Sequence, residues 1–384
     1  MTVRRLLITS TIVCLLTCCV METQAGTTFP QTRRVGDTLY VAAQGNRNPD
    51  TGERFAEMGA ATRQVMLNAK RELEAAGFRL TDVVASHVWL TDLNRYQQMN
   101  AVYRSFFTAQ FPTRTTVGVA ALPGDSPVQI AMVAVKGPSQ VIFPEGASPS
   151  GLPFSPGILA GDTLYLSGQA GVDSKTGQLV EGDMQLHVLQ TLSNTRGVLQ
   201  AAGMDFTNVV SAYVFVTDLD QFGDASKAYL SVFNTEPRPA RMPMGVAALP
   251  LNSPVEITLI ASRNVRQAVL GEGQPATSNY SRGLLTGDSL HLAGIYRREG
   301  TMRDQVNSCF DWVNSLMKAG GMELKDVVEL RIYLSDIHDE TAMREACREH
   351  FSSSPPALSV MAVPRLPANS KIMMGVVAAK NSSE

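Results

Sequence analysis

Two arginines and one glutamate stand out by type and by place. Arg114 opens the phrase "RTTVGVAALPGDSPVQI" (114–130), and Arg241 opens "RMPMGVAALPLNSPVEI" (241–257). A third copy, "LSVMAVPRLPANSKIMM" (358–374), opens with Leu358. Near the end of each phrase stand Gln129, Glu256 and Met373. A guanidinium takes a carboxylate through two parallel hydrogen bonds and so orients it. A glutamate can accept a proton from water, and a glutamine can hold a water without taking its proton. Leucine and methionine do neither. The plainer reading makes Arg241 and Glu256 a cross-strand ion pair on a sheet face. No other cluster competes. His87, His187, His291, His338 and His350 are scattered, none at metal-ligand spacing, so no metal site is expected. Asp92, Asp218 and Asp336 sit in "TDL" or "SDI" just before a helical pattern and read as caps. His87, alone in an apolar run, reads as structural.

These residues belong to a threefold internal repeat. "GDTLYVAAQG" (36–45), "GDTLYLSGQA" (161–170) and "GDSLHLAGIY" (287–296) align, as do "GFRLTDVVASHVWLTDLNRY" (77–96), "GMDFTNVVSAYVFVTDLDQF" (203–222) and "GMELKDVVELRIYLSDIHDE" (321–340). A period of roughly 125 residues means duplicated domains, not a solenoid. Each copy reads as a β-rich start, a long amphipathic helix stopped by glycine, a buried strand, a second helix and two strands around a Leu-Pro turn. In the first copy Phe55, Met58, Val65, Met66, Ala69 and Leu73 mark the apolar stripe of that helix. The pattern predicts an α+β layer with the helices on one face of a mixed sheet. The third copy is shorter between its Gly-Asp turn and its next glycine, where it lacks a turn and a helix start. The stretch "GPSQVIFPEGASPSGLPFSPGILAG" contains an apolar "VIF" that reads as a first strand of the second repeat. The boundaries drawn are a leader at 1–25 and repeats at 26–137, 138–263 and 264–384.

Of 384 residues, 44% are hydrophobic and 18% charged, which suits globular domains. The net charge of −2 supplies no basic field for nucleic acid or an anionic membrane. Arg4 and Arg5, an apolar run from Leu6 to Val20, and Thr23 and Ala25 before a cut form the pattern of a secretory signal. Export to the periplasm or the exterior is expected, with no membrane association after cleavage. An uncleaved anchor or a lipoprotein box around Cys18 or Cys19 is the less favoured reading. Cys14, Cys18 and Cys19 leave with the leader. Cys309 and Cys347 remain, and we read them as two separate buried thiols rather than a disulfide.

The ordered motifs "LPFSPGILAGDTLYLSGQAGVDSKTG", "VVSAYVFVTDLDQF" and "RPARMPMGVAALPLNSPVEI" closely resemble the YjgF/RidA family, most strongly in repeat two and weakly in repeat three. The resemblance implies a chorismate-mutase-like α/β-sandwich unit in each repeat and trimeric assembly with clefts between subunits. Three units in one chain then suggest a self-contained pseudo-trimer. It also implies hydrolysis of reactive 2-imino or enamine acids to 2-oxo acids and ammonia, with no cofactor. By this likeness Arg241 and Glu256 form the full catalytic pair. Arg114 with Gln129 lines a weaker cleft, and Leu358 with Met373 an inactive one. The aromatic contributed by a neighbouring unit corresponds to Phe29, Phe154 and Tyr280, and the glutamine of "SGQ" to Gln44 and Gln169. The rival readings are an exported protein that holds small carboxylates without turning them over, and a scaffold with no ligand.

Overall fold

The computed structural model describes residues 29–108, 110–147, 151–276, 279–351 and 353–381, so the leader lies outside the described residues. Three units of one design follow one another. In the first, the strands run in the order 32–35, 38–44, 128–135, 83–90 and 113–118. All neighbours are antiparallel except 83–90 and 113–118, which are parallel. A parallel pair needs a crossover, and helix α2 (Tyr96–Arg104) supplies it after the long helix α1 (Met58–Ala75). The second unit repeats this with α3 (Met184–Ala201) and α4 (Phe222–Val232), and the third with α5 (Met302–Ala319) and α6 (Glu340–Arg348).

Local chemistry explains the elements. The Gly-Asp turns close tight hairpins with Gly36, Gly161 and Gly287 at φ of +51°, +56° and +51°, where a side chain would be strained. Asp92, Asp218 and Asp336 each accept a hydrogen bond from the backbone N–H two residues on, as caps do. The "VIF" stretch enters the strand Ser139–Ile142, which pairs with Gly157–Ala160 in the second unit's sheet. In the third unit only four residues separate the strand Ile295–Arg297 from α5, against thirteen between Gln44 and α1.

The strands 83–90, 209–216 and 327–334 are buried at every position. One face of each packs on its own helices. The other meets the sheets of the two sister units in a shared core that includes Trp89, Phe215, Tyr333, Met244 and Met361. Sheets covered on both faces read as continuous apolar runs instead of alternating ones. The three units close a ring. Ser155 N–H donates to Pro112 O at the first seam and Ser281 N–H to Pro239 O at the second. At the third, Ala43 N–H donates to Ser359 Oγ and Gly36 N–H to the Asn381 side chain.

On the ring axis the equivalent positions His87, Tyr213 and Arg331 meet. His87 lies 6.0 Å from Tyr213 by ring centroids, and the Arg331 guanidinium 5.2 Å from the Tyr213 ring. Arg331 donates to Glu329 Oε1 from Nε at 2.9 Å and from Nη2 at 2.7 Å, so the buried charge is paired. Burial holds His87 well below its ordinary pKa, which suits a neutral structural ring. Cys309 and Cys347 are free and buried in the third unit's core. Among the described residues no helix is long and apolar enough to cross a membrane, and no cluster of candidate metal ligands occurs.

Candidate functional site in the seams between repeats

The arginine strands 113–118 and 240–245 are sheet edges, so their side chains stand at the seams. At the first seam repeat two clamps the Arg114 backbone from both sides. Arg114 N–H donates to Ser167 Oγ at 2.9 Å, and Gly168 N–H donates to Arg114 O at 3.1 Å. The guanidinium is buried in an aromatic box, 5.4 Å from the Tyr96 ring, 5.0 Å from Tyr103 and 5.0 Å from Phe154 of repeat two. Nη2 donates to Tyr96 Oη at 2.8 Å, whereas Nη1 is buried without an acceptor among the described residues. An orphaned charged donor in a low-dielectric box is costly, and a ligand carboxylate is the natural partner.

Glu256 of repeat two faces this same seam. Its carboxylate accepts from the Thr116 backbone N–H, two residues beyond Arg114. Burial raises its pKa to about 8, against the opposing pull of that N–H and of Arg114. Gly168 lies beneath it: a Cβ there would stand 2.8 Å from the Glu256 carboxyl carbon. Gly168→Ala is therefore expected to push the carboxyl out of place and to lower at least tenfold any activity that rests on Glu256, at unchanged fold. Steady-state rates beside a circular-dichroism melt check this.

The structure separates the expected pair. Arg241 pairs with Ala212, whereas Glu256 pairs with Phe215 on the same central strand. Those positions differ by three, and strand side chains alternate with period two, so the two point to opposite faces of their own sheet. Arg241 instead opens the second seam. It lies 5.3 Å from Phe222, 5.0 Å from Tyr229 and 5.8 Å from Tyr280 of repeat three, and its Nη1 donates to Ser226 Oγ at 3.0 Å. Gly294 N–H donates to Arg241 O at 3.1 Å, as Gly168 does to Arg114. The counterpart of Glu256 in this seam is Met373, whose Sδ lies 2.8 Å from where a Gly294 Cβ would be. The second seam thus has the clamp without the base.

At the third seam Leu358 joins the core of repeat three, and Phe29 packs edge-on against Phe351 at 5.8 Å. Gln129 lies beside Gly45, its Nε2 3.5 Å from where a Gly45 Cβ would stand. Gln44 is tied locally to Gln31 Oε1 and Ala42 O, and Gln169 pairs with Ile257 next to Glu256. Phe154, Tyr280 and Phe29 each cross a seam into the preceding unit. Sequence reasoning missed Tyr103 and Tyr229. They occupy equivalent helix positions in the two repeats that carry the arginine, and Cys347 replaces them in the repeat that carries leucine. That covariation within the chain was a readable signal.

The fold and the seams define a class of protein: α+β units of one design closed around a common axis, with arginine-lined clefts at two of the places where they meet. The family model described as Endoribonuclease L-PSP matches residues 21–136, 146–263 and 272–380. The chain belongs to this family, the YjgF/RidA family, and carries its unit three times in tandem. Human 2-iminobutanoate/2-iminopropanoate deaminase is 41% identical over 109 residues, which are 28% of this chain and 79% of that protein. A RutC family protein of Sulfurisphaera tokodaii is 36% identical over 124 residues, 32% of this chain and 98% of its own. Among solved structures, RidA from the Antarctic bacterium Psychrobacter sp. shows 34% identity and a TM-score of 0.30, covering 32% of this chain and 98% of that one.

Proposed function

We propose that the chain hydrolyses small 2-imino acids to 2-oxo acids and ammonia at the first seam, between Arg114 and Glu256. The observation that carries this is the meeting of an orphaned, buried guanidinium with a buried carboxyl supplied by the next repeat. The deaminase names of the relatives support it. Arg114 would take the substrate carboxylate, and the rings of Tyr96, Tyr103 and Phe154 would exclude water around it. Ionised Glu256 would accept a proton as water adds to the imine carbon. Addition to the protonated imine gives a neutral carbinolamine; Glu256 would then return its proton to the amine nitrogen, the C–N bond would break, and the hydroxyl proton would pass to Glu256 as ammonia leaves. The water oxygen ends in the 2-oxo group, so the step needs no oxidant or reductant. The leader read at 1–25 would place this activity outside the cytoplasm, and one chain would hold every part of the cleft.

A second reading is favoured by one observation. A carboxyl with a pKa of about 8 is mostly protonated at pH 7, which suits capture of a carboxylate without turnover. The test is the loss of freshly generated 2-iminopropanoate and 2-iminobutanoate with the chain present, between pH 7 and 9. Acceleration over buffer that grows with pH supports hydrolysis. Rates equal to buffer throughout leave carboxylate capture as the function.

A further inference from the structure

Repeat three departs from its sisters where it is short. In repeats one and two an asparagine of the long helix ties down the segment that follows the β-rich start. Asn68 Nδ2 donates to Gly45 O at 3.0 Å and Arg47 O at 2.8 Å, and Asn194 Nδ2 to Ala170 O at 3.1 Å and Val172 O at 2.8 Å. The equivalent residue of α5 is Trp312, and most of the segment that would cover it is missing. Two guanidiniums stand against its indole, Arg297 at 3.9 Å and Arg282 at 4.7 Å from the ring centroid. Beside them is a cavity of about 240 Å³ lined in part by Tyr280, Arg282, Gly294, Arg297 and Trp312.

This cavity adjoins the second seam. Tyr280 lines it and also stands over Arg241, and Gly294 lines it and donates to Arg241 O. Two buried guanidinium nitrogens, Arg241 Nε and Arg297 Nη2, have no acceptor among the described residues. Burial works against the Arg297 charge, and Arg282 adds to that, although the field of the exposed Asp311 helps it. Two cations, Arg282 and Arg297, and an aromatic wall thus line a space sized for a small molecule, and Arg241 stands behind Tyr280 at its edge, with Met373 where the first seam has its carboxyl.

We propose that the shortening of repeat three has made the second seam a binding site for small dianionic acids, held without hydrolysis. One carboxylate would sit on Arg241, and a second acidic group, carboxylate or phosphate, between Arg282 and Arg297. A monocarboxylate would leave one of the two clamps empty. Retained Arg241, Tyr229 and Tyr280 beside a lost base are what such a change of use leaves behind. The site is separate from the first seam and does not depend on hydrolysis there.

The whole chain offers its own probe. It has two tryptophans, and Trp89 is buried in the shared core, so an emission change on ligand binding reports on Trp312. Succinate and phosphoglycolate are titrated against acetate, with calorimetry alongside. One or both dianions are expected to saturate and to bind at least tenfold more tightly than acetate. Whichever binds tells dicarboxylate from phosphate. Arg297→Gln should weaken that binding at least tenfold, and Arg282→Gln serves where the first variant melts early. The same titration of Arg114→Ala should be normal, which separates this site from the imine cleft. Dianions no tighter than acetate, or wild-type binding in both folded variants, overturn the proposal.

Discussion

Arg114→Ala is expected to lower kcat/KM for 2-iminopropanoate by about a thousandfold, and its loss to exceed that of Arg241→Ala by at least a hundredfold. The size follows from what truncation removes. Arg114 is buried, and its free Nη1 together with Nη2 presents a charged fork to the substrate. Losing one partner of a buried, hydrogen-bonded charge pair costs about 2–5 kcal/mol, and a thousandfold is about 4 kcal/mol. The loss should appear in both constants. KM rises because the carboxylate has lost its clamp, and kcat falls because the imine carbon is no longer held against Glu256. Glu256→Gln should leave KM near wild type and lower kcat by about 10²–10⁴, the usual worth of a positioned general base. The contrast between the arginines is the decisive arm. If Arg241→Ala falls as far as Arg114→Ala, the second seam takes part in turnover and the assignment to the first seam fails.

That contrast reverses what repeat two alone suggests, and the reason is geometric. The repeats, their element order, the Gly-Asp hairpins and the three aspartate caps are encoded within a few residues of where they appear, so a linear reading finds them. The pairing of Arg with Glu is not local. It depends on the register that sets Arg241 beside Ala212 and Glu256 beside Phe215, and on the direction in which one unit's edge meets the next. A one-position difference in register inverts a side chain's face, and no motif in a single repeat states it. The same holds for the axial pair. Arg331 and Glu329 look like strand charges in sequence, and only closure of the ring shows them buried beside Tyr213. By contrast the clamp tyrosines were legible. Tyr103, Tyr229 and Cys347 follow the pattern Arg114, Arg241, Leu358 position for position.

Replacing Glu256 by glutamine should stabilise the chain at alkaline pH. The folded-state pKa is raised from an ordinary carboxyl's 4.5 to about 8, chiefly by burial. A group raised in this way contributes stability that is fully present below 4.5 and is lost as pH climbs through 8, because the unfolded chain ionises first. Wild type should therefore lose about 1.4 kcal/mol per pH unit across that window, roughly 5 kcal/mol in all. Glutamine does not titrate, and Gln129 shows that the equivalent strand position in repeat one accepts it buried. Its amide can keep the Thr116 N–H as donor to its carbonyl oxygen. Thermal melts at pH 5, 7 and 9 should thus show the variant gaining several degrees on wild type as pH rises. The catalytic rate of wild type should climb through the same interval, since the ionised form that burial disfavours is the one that takes the proton from water. Parallel stability curves from pH 5 to 9 would mean that Glu256 ionises as an ordinary carboxylate, and the alkaline rise in rate should then be absent as well. On the proposed mechanism stability and turnover would be coupled through one proton: the burial that would make Glu256 a stronger base also makes its charged form the costlier one to keep folded.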